Sequence, residues 1–410
     1  MSVKFNKSYW YFVFSRFLGV LVKPAFLYYF LHKNMESESN LLALVYLFLA
    51  GVFVILSIPA HYDFYKSFFE RRLKHIQMRS VVQGYLSKII SHVFLVLPIL
   101  MAAVFLIFDE IYTAILVFSL LLSEKLFDEV QRFLLFDKKF TIWSNIFLLK
   151  TLVPLILSFA LGYVFSFENN HVLLFFAITI GLNVFIFIYM LPKYIYLLIR
   201  RAFSSFKKNV YNYIIDLKKG FVLRYFQGIF HTNALQVDKW VLSMHNYSTL
   251  FSELTLMSQL SNGINIAGNY IFISNRRSEL LNSNSNLNSL WIGIKVPLIS
   301  IFLFCSLLIT MFVLINMQLI EFNQLPILSI ILIACTYTIC TITEPISENL
   351  FWRVDLNELI KTELIHIVFS ATLGYLIVVF YSPYYISIAL FLGISLRLGL
   401  QLRLIKKYEH

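Results

Sequence analysis

The feature that most constrains this chain is a series of apolar runs, each close to twenty residues long, that recur from one end to the other. Folded as a helix, a run of that length crosses the ~30 Å hydrocarbon core of a bilayer. The composition agrees, because only 14% of the residues are charged, against about 25% in an average soluble domain. The sequence therefore predicts an all-α polytopic membrane protein.

We count twelve predicted spans, and basic residues are distributed unequally over the loops between them. The spans cover residues 10–31, 41–61, 89–108, 112–134, 142–165, 171–192, 221–244, 250–273, 289–316, 325–348, 362–382 and 384–402. With the amino terminus inside, the inner loops and ends hold 24 Lys and Arg, whereas the outer loops hold one, Lys33. This positive-inside asymmetry predicts that both termini are cytoplasmic. It also explains the net charge of +12, so no nucleic-acid partner is expected.

A charged stretch, RRAFSSFKKNVYNYIIDLKKG at 200–220, separates the sixth and seventh spans. Its apolar residues recur at helical spacing between lysines, which predicts an amphipathic helix on the inner leaflet. It divides the chain into two predicted six-helix bundles, 1–199 and 221–410. Because six is even, both bundles would enter the membrane in the same sense, as a parallel repeat.

Short internal matches support a duplication. RFLG begins at Arg16 in span one, and RYFQG begins at Arg224 in span seven. An acid, a second acid four residues later and an arginine four or five residues after that occur in spans four and ten: Glu124, Asp128 and Arg132, then Glu344, Glu348 and Arg353.

Seventeen charged residues fall within the predicted spans. A charge at mid-bilayer costs at least ~2.5–3.5 kcal/mol, so these residues are expected to face a partner or a water-filled cavity. On span four, Asp128 can pair with Arg132, and Lys125 can pair with Glu129, each at i, i+4. A structural ion-pair cluster and a substrate site are both open for Glu124, Asp128 and Arg132.

Span one carries two cations and no acid. Arg16 and Lys23 are seven residues apart and share one face of a helix, with Lys23 roughly 20 Å deep at 1.5 Å per residue. Three interpretations remain open for Lys23: contact with an anionic ligand, a buried pair with an acid across the bundle, or snorkelling to the interface.

Two further groups of charges carry specific expectations. Asp238 and Lys239 are adjacent in span seven and would point ~100° apart on a helix. One is therefore expected to face a cavity and the other the helix packing. Arg353 and Arg397 lie near the inner face and are expected to snorkel.

The chain resembles a known family in its twelve spans, its two halves and its very short outer loops. RFLLFDKKFTIWSN after span four looks like that family's loop, and NALQVDKWVLS is similar to its Asn–Asp–Lys/Arg pattern in span seven. These features resemble the Wzx-type O-antigen and polysaccharide flippases of the multidrug/oligosaccharidyl-lipid/polysaccharide exporter superfamily.

The resemblance implies that the two bundles enclose a central cavity. It also implies translocation of an undecaprenyl-pyrophosphate-linked oligosaccharide, an O-antigen or capsule repeat unit, to the outer leaflet of the bacterial inner membrane by alternating access. No enzymatic activity, cofactor or metal is expected. The expected partners are the lipid-linked oligosaccharide and membrane lipids, with the glycan polymerase machinery as a further candidate. The candidate substrate-binding residues are Arg16, Lys23, Lys150, Arg224, Glu124, Asp128, Asp238 and Lys239.

Two other functions, one in transport and one in glycan synthesis, compete with the flippase. A multidrug exporter of the same fold would bind organic cations at acids, and it is compatible with the carboxy-terminal half, whose spans hold four bases and five acids. The amino-terminal spans, with five bases and three acids, favour an anionic substrate instead. A membrane-embedded glycan polymerase or ligase is disfavoured, because such enzymes place their chemistry on a large outer loop.

Overall fold

The described part of the chain is all-α, as its apolar runs predict. The structure, a computed structural model, is 93% helical and has no strand in the residues that it describes. Those residues are 7–53, 56, 78–136, 139–165, 171–190, 196, 200, 203–204, 206–216, 226, 228–230, 233–245, 247–268, 296–316, 322, 324–353 and 355–408.

Thirteen α-helices lie in the described ranges. They are α1 (Lys7–His32), α2 (Glu36–Phe53), α3 (Met78–Ile107), α4 (Ile111–Phe136), α5 (Phe140–Phe165), α6 (His171–Met190), α7 (Phe206–Asp216), α8 (Val237–Met244), α9 (Ser248–Gly268), α10 (Val296–Asn316), α11 (Ile327–Arg353), α12 (Leu356–Phe380) and α13 (Ser387–Tyr408). Short 3-10 helices at Ala234–Gln236 and Pro383–Tyr385 precede α8 and α13.

Six helical segments of the described chain are long and apolar enough to cross a membrane. They are Lys7–His32, Ile89–Ile107, Phe140–Val164, His171–Met190, Asn357–Phe380 and Pro383–Lys407. Since each has about the length that a hydrocarbon core requires, the set is consistent with a multi-pass membrane protein.

The chain divides into two compact units. Unit 1 contains residues 1–47, 138–172 and 233–410, and unit 2 contains residues 48–137 and 173–232. The predicted division into bundles at 1–199 and 221–410 stays a prediction.

Helix α9 lies at the centre of unit 1, where it packs against α1, α8, α10 and α11. Every residue from 251 to 258 is buried, and this segment mixes apolar side chains with hydroxyls and one carboxylate. That carboxylate, Glu253, accepts hydrogen bonds from the backbone amides of Gln324 (3.0 Å) and Leu325 (2.8 Å) just before α11. The buried charge thereby gives acceptors to two backbone amides of the segment that precedes α11, and such amides are costly to bury unpaired.

The carboxy-terminal helices form a second part of the unit 1 core. Helix α13 packs against both α11 and α12. Ile346, Leu350, Leu359 and Leu404 form one buried apolar cluster among these three helices. Such a cluster removes apolar surface from its surroundings and holds the three helices in register.

Hydrogen bonds in unit 1 join helix ends that the sequence assigns to the same side. Three of them connect ends assigned to the outer side: Thr249 with Glu36 (3.0 Å), the Val172 amide with Glu38 (2.9 Å), and Ser329 with the Tyr384 carbonyl (2.7 Å). Two connect ends assigned to the inner side: Tyr11 with Asn145 (2.8 Å) and Lys407 with Glu358 (2.8 Å).

In unit 2, helix α3 packs against α4 and against the amphipathic helix α7. The ring of Phe94 on α3 meets Phe206 of α7 at a centroid distance of 5.0 Å, and Phe203 at 6.3 Å. Both contacts are edge-on, which is a favoured arrangement for aromatic pairs. Helix α7 is therefore fixed against the side of α3.

Candidate functional site: a cationic seam between two parallel helices

Helices α1 and α5 pack side by side through aromatic rings. The ring centroids are 5.9 Å apart for Tyr9 and Phe140, 4.6 Å for Phe12 and Trp143, and 5.3 Å for Phe26 and Phe159. These three pairs define how the two helices align. Because the partner numbers rise together along both helices, α1 and α5 run parallel. Residues on their shared border can therefore be compared by level.

Arg16 lies on this border against two stacked rings. Its guanidinium carbon is 4.7 Å from the Trp143 ring centroid and 5.1 Å from the Phe147 centroid. Trp143 is fully buried, and the two rings stack at 4.8 Å with an interplanar angle of 15°. The negative face of an aromatic ring stabilises a cation without cancelling its charge, so the rings hold the Arg16 guanidinium in place.

Gly19 allows this arrangement, and sequence reasoning missed its role. A Cβ atom at Gly19 would lie 2.6 Å from Cζ and 3.1 Å from Cδ1 of Phe147. The first distance is too short for any real contact, and the second is shorter than most contacts of a Cβ atom. Phe147 therefore lies against the backbone of α1 only because residue 19 has no side chain. The available signal was a glycine inside an apolar span, one turn beyond an arginine.

Lys150 continues the same face of α5. It follows Trp143 and Phe147 at positions i+7 and i+3, and such residues share one side of a helix. The parallel register places it level with Gly19, and its side chain is half-buried.

Lys23 is two turns beyond Arg16 on α1. Its ammonium nitrogen lies 5.3 Å from the ring centroid of the buried Tyr46 on α2, and its side chain is exposed. Seven residues of helix rise by about 10 Å, so Arg16, Lys150 and Lys23 occupy successive levels along about 10 Å of one helix pair. We call these three cations the α1–α5 seam.

Glu124 and Asp128 lie on α4 in unit 2. The side-chain amide of Asn183 on α6 donates to Glu124 at 3.1 Å. Asp128 Oδ2 is 3.6 Å from Lys125 Nζ. The predicted pair of Lys125 with Glu129 is confirmed, with the two groups 2.5 Å apart in the buried part of α4.

The Lys125–Glu129 pair has a further partner on a neighbouring helix. The Tyr85 hydroxyl on α3 donates to Glu129 Oε2 at 2.5 Å. A charged acceptor shortens and strengthens such a bond, so this contact ties α3 to α4. The side chain of Arg132, the predicted partner of Asp128, lies outside the described residues.

Asp238 and Lys239 correct the sequence expectation. Both side chains are buried, at 2% exposure each, and they pair with each other at 3.2 Å. The expectation that one faces a cavity and the other faces the packing is therefore wrong. The physical reason is the helix start: Asp238 lies in the first turn of α8, and its carboxylate also accepts the Lys239 backbone amide at 2.9 Å.

Arg397 is the second correction. It is 1% exposed instead of snorkelling, and its guanidinium donates to Glu363 Oε1 through Nη2 at 2.7 Å and Nε at 3.1 Å. Nη2 also donates to the Ser347 hydroxyl oxygen at 3.1 Å. The side-chain amide of Gln401 donates to the same oxygen at 2.6 Å. This network joins α11, α12 and α13 and was not predicted, because its members are far apart in sequence.

Several predicted residues lie outside the described part of the structure. Arg224 is one of them, as are the side chains of Glu344, Glu348 and Arg353. The site prediction for Arg224 and the expectation that Arg353 snorkels therefore stay predictions.

Glu38, which lies in the first turn of α2, is a buried acid with a shifted pKa. Its buried carboxylate accepts the Val172 amide in the first turn of α6. Burial raises the pKa of Glu38 above its ordinary value, although this hydrogen bond and nearby His171 oppose that shift. A carboxylate at a helix amino terminus is favoured by the exposed amides and the helix dipole.

Within the described ranges, no group of three His, Cys, Asp or Glu side chains is placed to hold a metal ion. The three cysteines are free thiols. No family model, no curated protein and no solved structure matches the chain.

Proposed function

We propose that this chain is a flippase of the Wzx type that moves an undecaprenyl-pyrophosphate-linked oligosaccharide from the inner to the outer leaflet of the bacterial inner membrane. The observation that carries the proposal is the α1–α5 seam, in which Arg16, Lys150 and Lys23 follow one another along two apolar, parallel helices. Such a ladder of cations inside predicted membrane spans suits a polyanionic headgroup that must travel along the membrane normal.

The charge of the substrate explains why cations are needed at that depth. A pyrophosphate carried into hydrocarbon loses its hydration, which is prohibitive for an unpaired ion. Arginine binds phosphate oxygens through a planar fork, and lysine binds them as a compact point charge. Arg16 and the two lysines would replace water at successive levels while the prenyl tail stays in lipid.

The remaining predicted groups would act on the sugars or tune the cations. In this proposal Glu124 and Asp128 contact sugar hydroxyls or adjust the charge of the cavity, and Arg224 contributes a further cation from span seven. The full arrangement comprises twelve spans in two six-helix bundles, with both termini cytoplasmic and a central cavity between the bundles. Transport follows when one bundle rocks against the other around the bound headgroup.

The decisive experiment compares charge-removing variants in a deletion strain of the source organism. Arg16→Gln, Lys23→Gln and Lys150→Gln should each lower surface glycan and leave the lipid-linked oligosaccharide on the inner leaflet, because each removes a contact to the pyrophosphate. Leaflet distribution and surface glycan are measured together, at matched protein levels in the membrane.

Lys33→Gln is the matched control. It removes the same charge from an exposed lysine in the first outer loop, outside the seam, and should restore export fully. If the seam variants export as well as the control, the proposal fails. Normal glycan in the deletion strain, together with new sensitivity to cationic compounds, would instead identify a multidrug exporter of the same fold.

A further inference from the structure

Helix α7 carries an exposed surface that the transport proposal does not use. Tyr211, Ile214 and Ile215 are 66%, 43% and 37% exposed, and Lys207 and Lys208 are exposed beside them. The face that holds Phe206 is turned toward α3. The helix is therefore held on one side and presents apolar and cationic groups on another.

The helical positions of these five residues form one continuous arc. At 100° per residue, Ile214, Lys207, Tyr211, Ile215 and Lys208 follow one another around the axis within about 120°, in that order. The two lysines thus share one face with the three apolar side chains. A soluble protein would rarely expose such a patch without a partner.

The position of α7 along α3 indicates what covers the patch. Phe94, which contacts Phe206 of α7, lies five residues into the apolar segment Ile89–Ile107. At the helical rise per residue, it is therefore about 7.5 Å from the start of that segment. Helix α7 therefore lies beside the first two turns of a candidate membrane span, at the boundary between headgroups and acyl chains that interfacial helices occupy. By the charge asymmetry of the loops, this end of α3 is the inner one.

The chemistry of the arc selects one kind of lipid. Apolar side chains on an interfacial helix enter the boundary between headgroups and acyl chains, while flanking lysines reach the headgroups. The inner leaflet carries the anionic lipids, and each lysine near such a surface adds attraction that salt screens. Arg200 is also exposed just before α7 and adds a third positive charge.

We propose that α7 is an anionic-phospholipid-binding helix, in which Lys207 and Lys208 bind headgroups of the inner leaflet while Tyr211, Ile214 and Ile215 insert beside them. This assignment is independent of the flippase proposal, because it rests on the surface of α7 and its contact with α3. The partner is a negatively charged phospholipid monolayer. A soluble acidic protein is the competing occupant.

Hydrogen exchange on the full-length protein in lipid nanodiscs tests the proposal. The α7 amides should exchange more slowly in phosphatidylcholine mixed with phosphatidylglycerol than in phosphatidylcholine alone, and high salt should reverse the difference. In the variant Lys207→Gln/Lys208→Gln, this lipid-dependent protection should fall roughly thirty-fold, as expected for losing two lysines at a charged surface.

The variant Lys361→Gln/Lys406→Gln is the matched control, since both lysines are exposed and lie outside α7. It should keep the full protection of α7. Peptides from α3 report whether the double α7 variant is folded. Equal exchange in the two lipid mixtures, or equal loss in the control, would overturn the proposal. Fast exchange of α7 in both mixtures that slows only on adding cytosolic protein would assign the surface to a soluble partner.

Discussion

Gly19 offers the sharpest test of how the α1–α5 seam is built. In Gly19→Ala the new methyl group would lie 2.6 Å from Phe147 Cζ, so the ring must move away from α1. Overpacking of this kind costs about 1–3 kcal/mol, whereas replacing glycine by alanine inside a helix gains about 1 kcal/mol. The expected net effect is a loss of about 0–2 kcal/mol in stability.

A second variant separates the clash from the change in helix propensity. Leucine at position 147 lacks the Cε1 and Cζ atoms that the methyl group would strike. In the Phe147→Leu background, Gly19→Ala should therefore be neutral or stabilising by about 1 kcal/mol. The coupling between the two sites should reach about 1–3 kcal/mol, well above the few tenths that independent sites show.

The assay is the apparent melting temperature of the purified protein for the wild type, both single variants and the double variant. Gly181→Ala serves as the control, because a Cβ at Gly181 on α6 would meet no atom within 4 Å. It should raise the melting temperature. Additive effects of Gly19→Ala and Phe147→Leu would refute the reasoning. Glycan export by Gly19→Ala should also fall, since Phe147 helps to hold the Arg16 guanidinium.

Two other predictions concern buried charges in unit 1. Arg397→Met should destabilise the protein by about 3–5 kcal/mol, because it leaves Glu363 buried without its cation, and Arg397→Met/Glu363→Met should recover most of that loss in melting temperature. Glu38→Gln keeps an acceptor for the Val172 amide but cannot ionise. Because the folded-state pKa of Glu38 is raised above 4.5, wild-type stability should fall as pH rises from about 4.5 through that pKa. Melting curves of Glu38→Gln should lack this part of the pH dependence.

Local sequence patterns predicted the parts of the structure that depend on local physics. The apolar runs predicted the all-α fold, since a helix is the simplest way to satisfy every backbone hydrogen bond in lipid. The i, i+4 spacing predicted the Lys125–Glu129 pair, because both partners lie on one helix and their geometry follows from its pitch.

Contacts between distant helices could not be predicted in this way. Arg397 pairs with Glu363 on another helix, 34 residues away, and nothing in the spacing of either residue indicates the other. Snorkelling was the default expectation for an arginine near a membrane face. Arg397 does not snorkel because the packing of α13 against α12 places the buried acid Glu363 beside it.

The prediction for Asp238 and Lys239 was wrong for a different reason. Their expected divergence assumed a continuous helix through span seven, but α8 begins at Val237 after a 3-10 turn. At a helix start the backbone amides lack intrahelical acceptors, so the aspartate folds back onto the Lys239 amide. The flexible lysine then reaches the same carboxylate. The angular rule describes Cβ directions and does not limit where a long side chain ends.

Exposure separates the cations that hold this fold together from those that can meet a substrate. Arg397 and Lys239 are nearly inaccessible, and each is bound to an acid within the core, so neither can reach a ligand without opening its helix packing. Lys23 is exposed, while Arg16 and Lys150 are half-buried on helices that are apolar enough to span a membrane. A charge at that depth is costly unless polar or aromatic groups, or water, surround it. Under the flippase proposal, the accessible cations of the seam form a polar route along α1 and α5 that would attract an anionic headgroup.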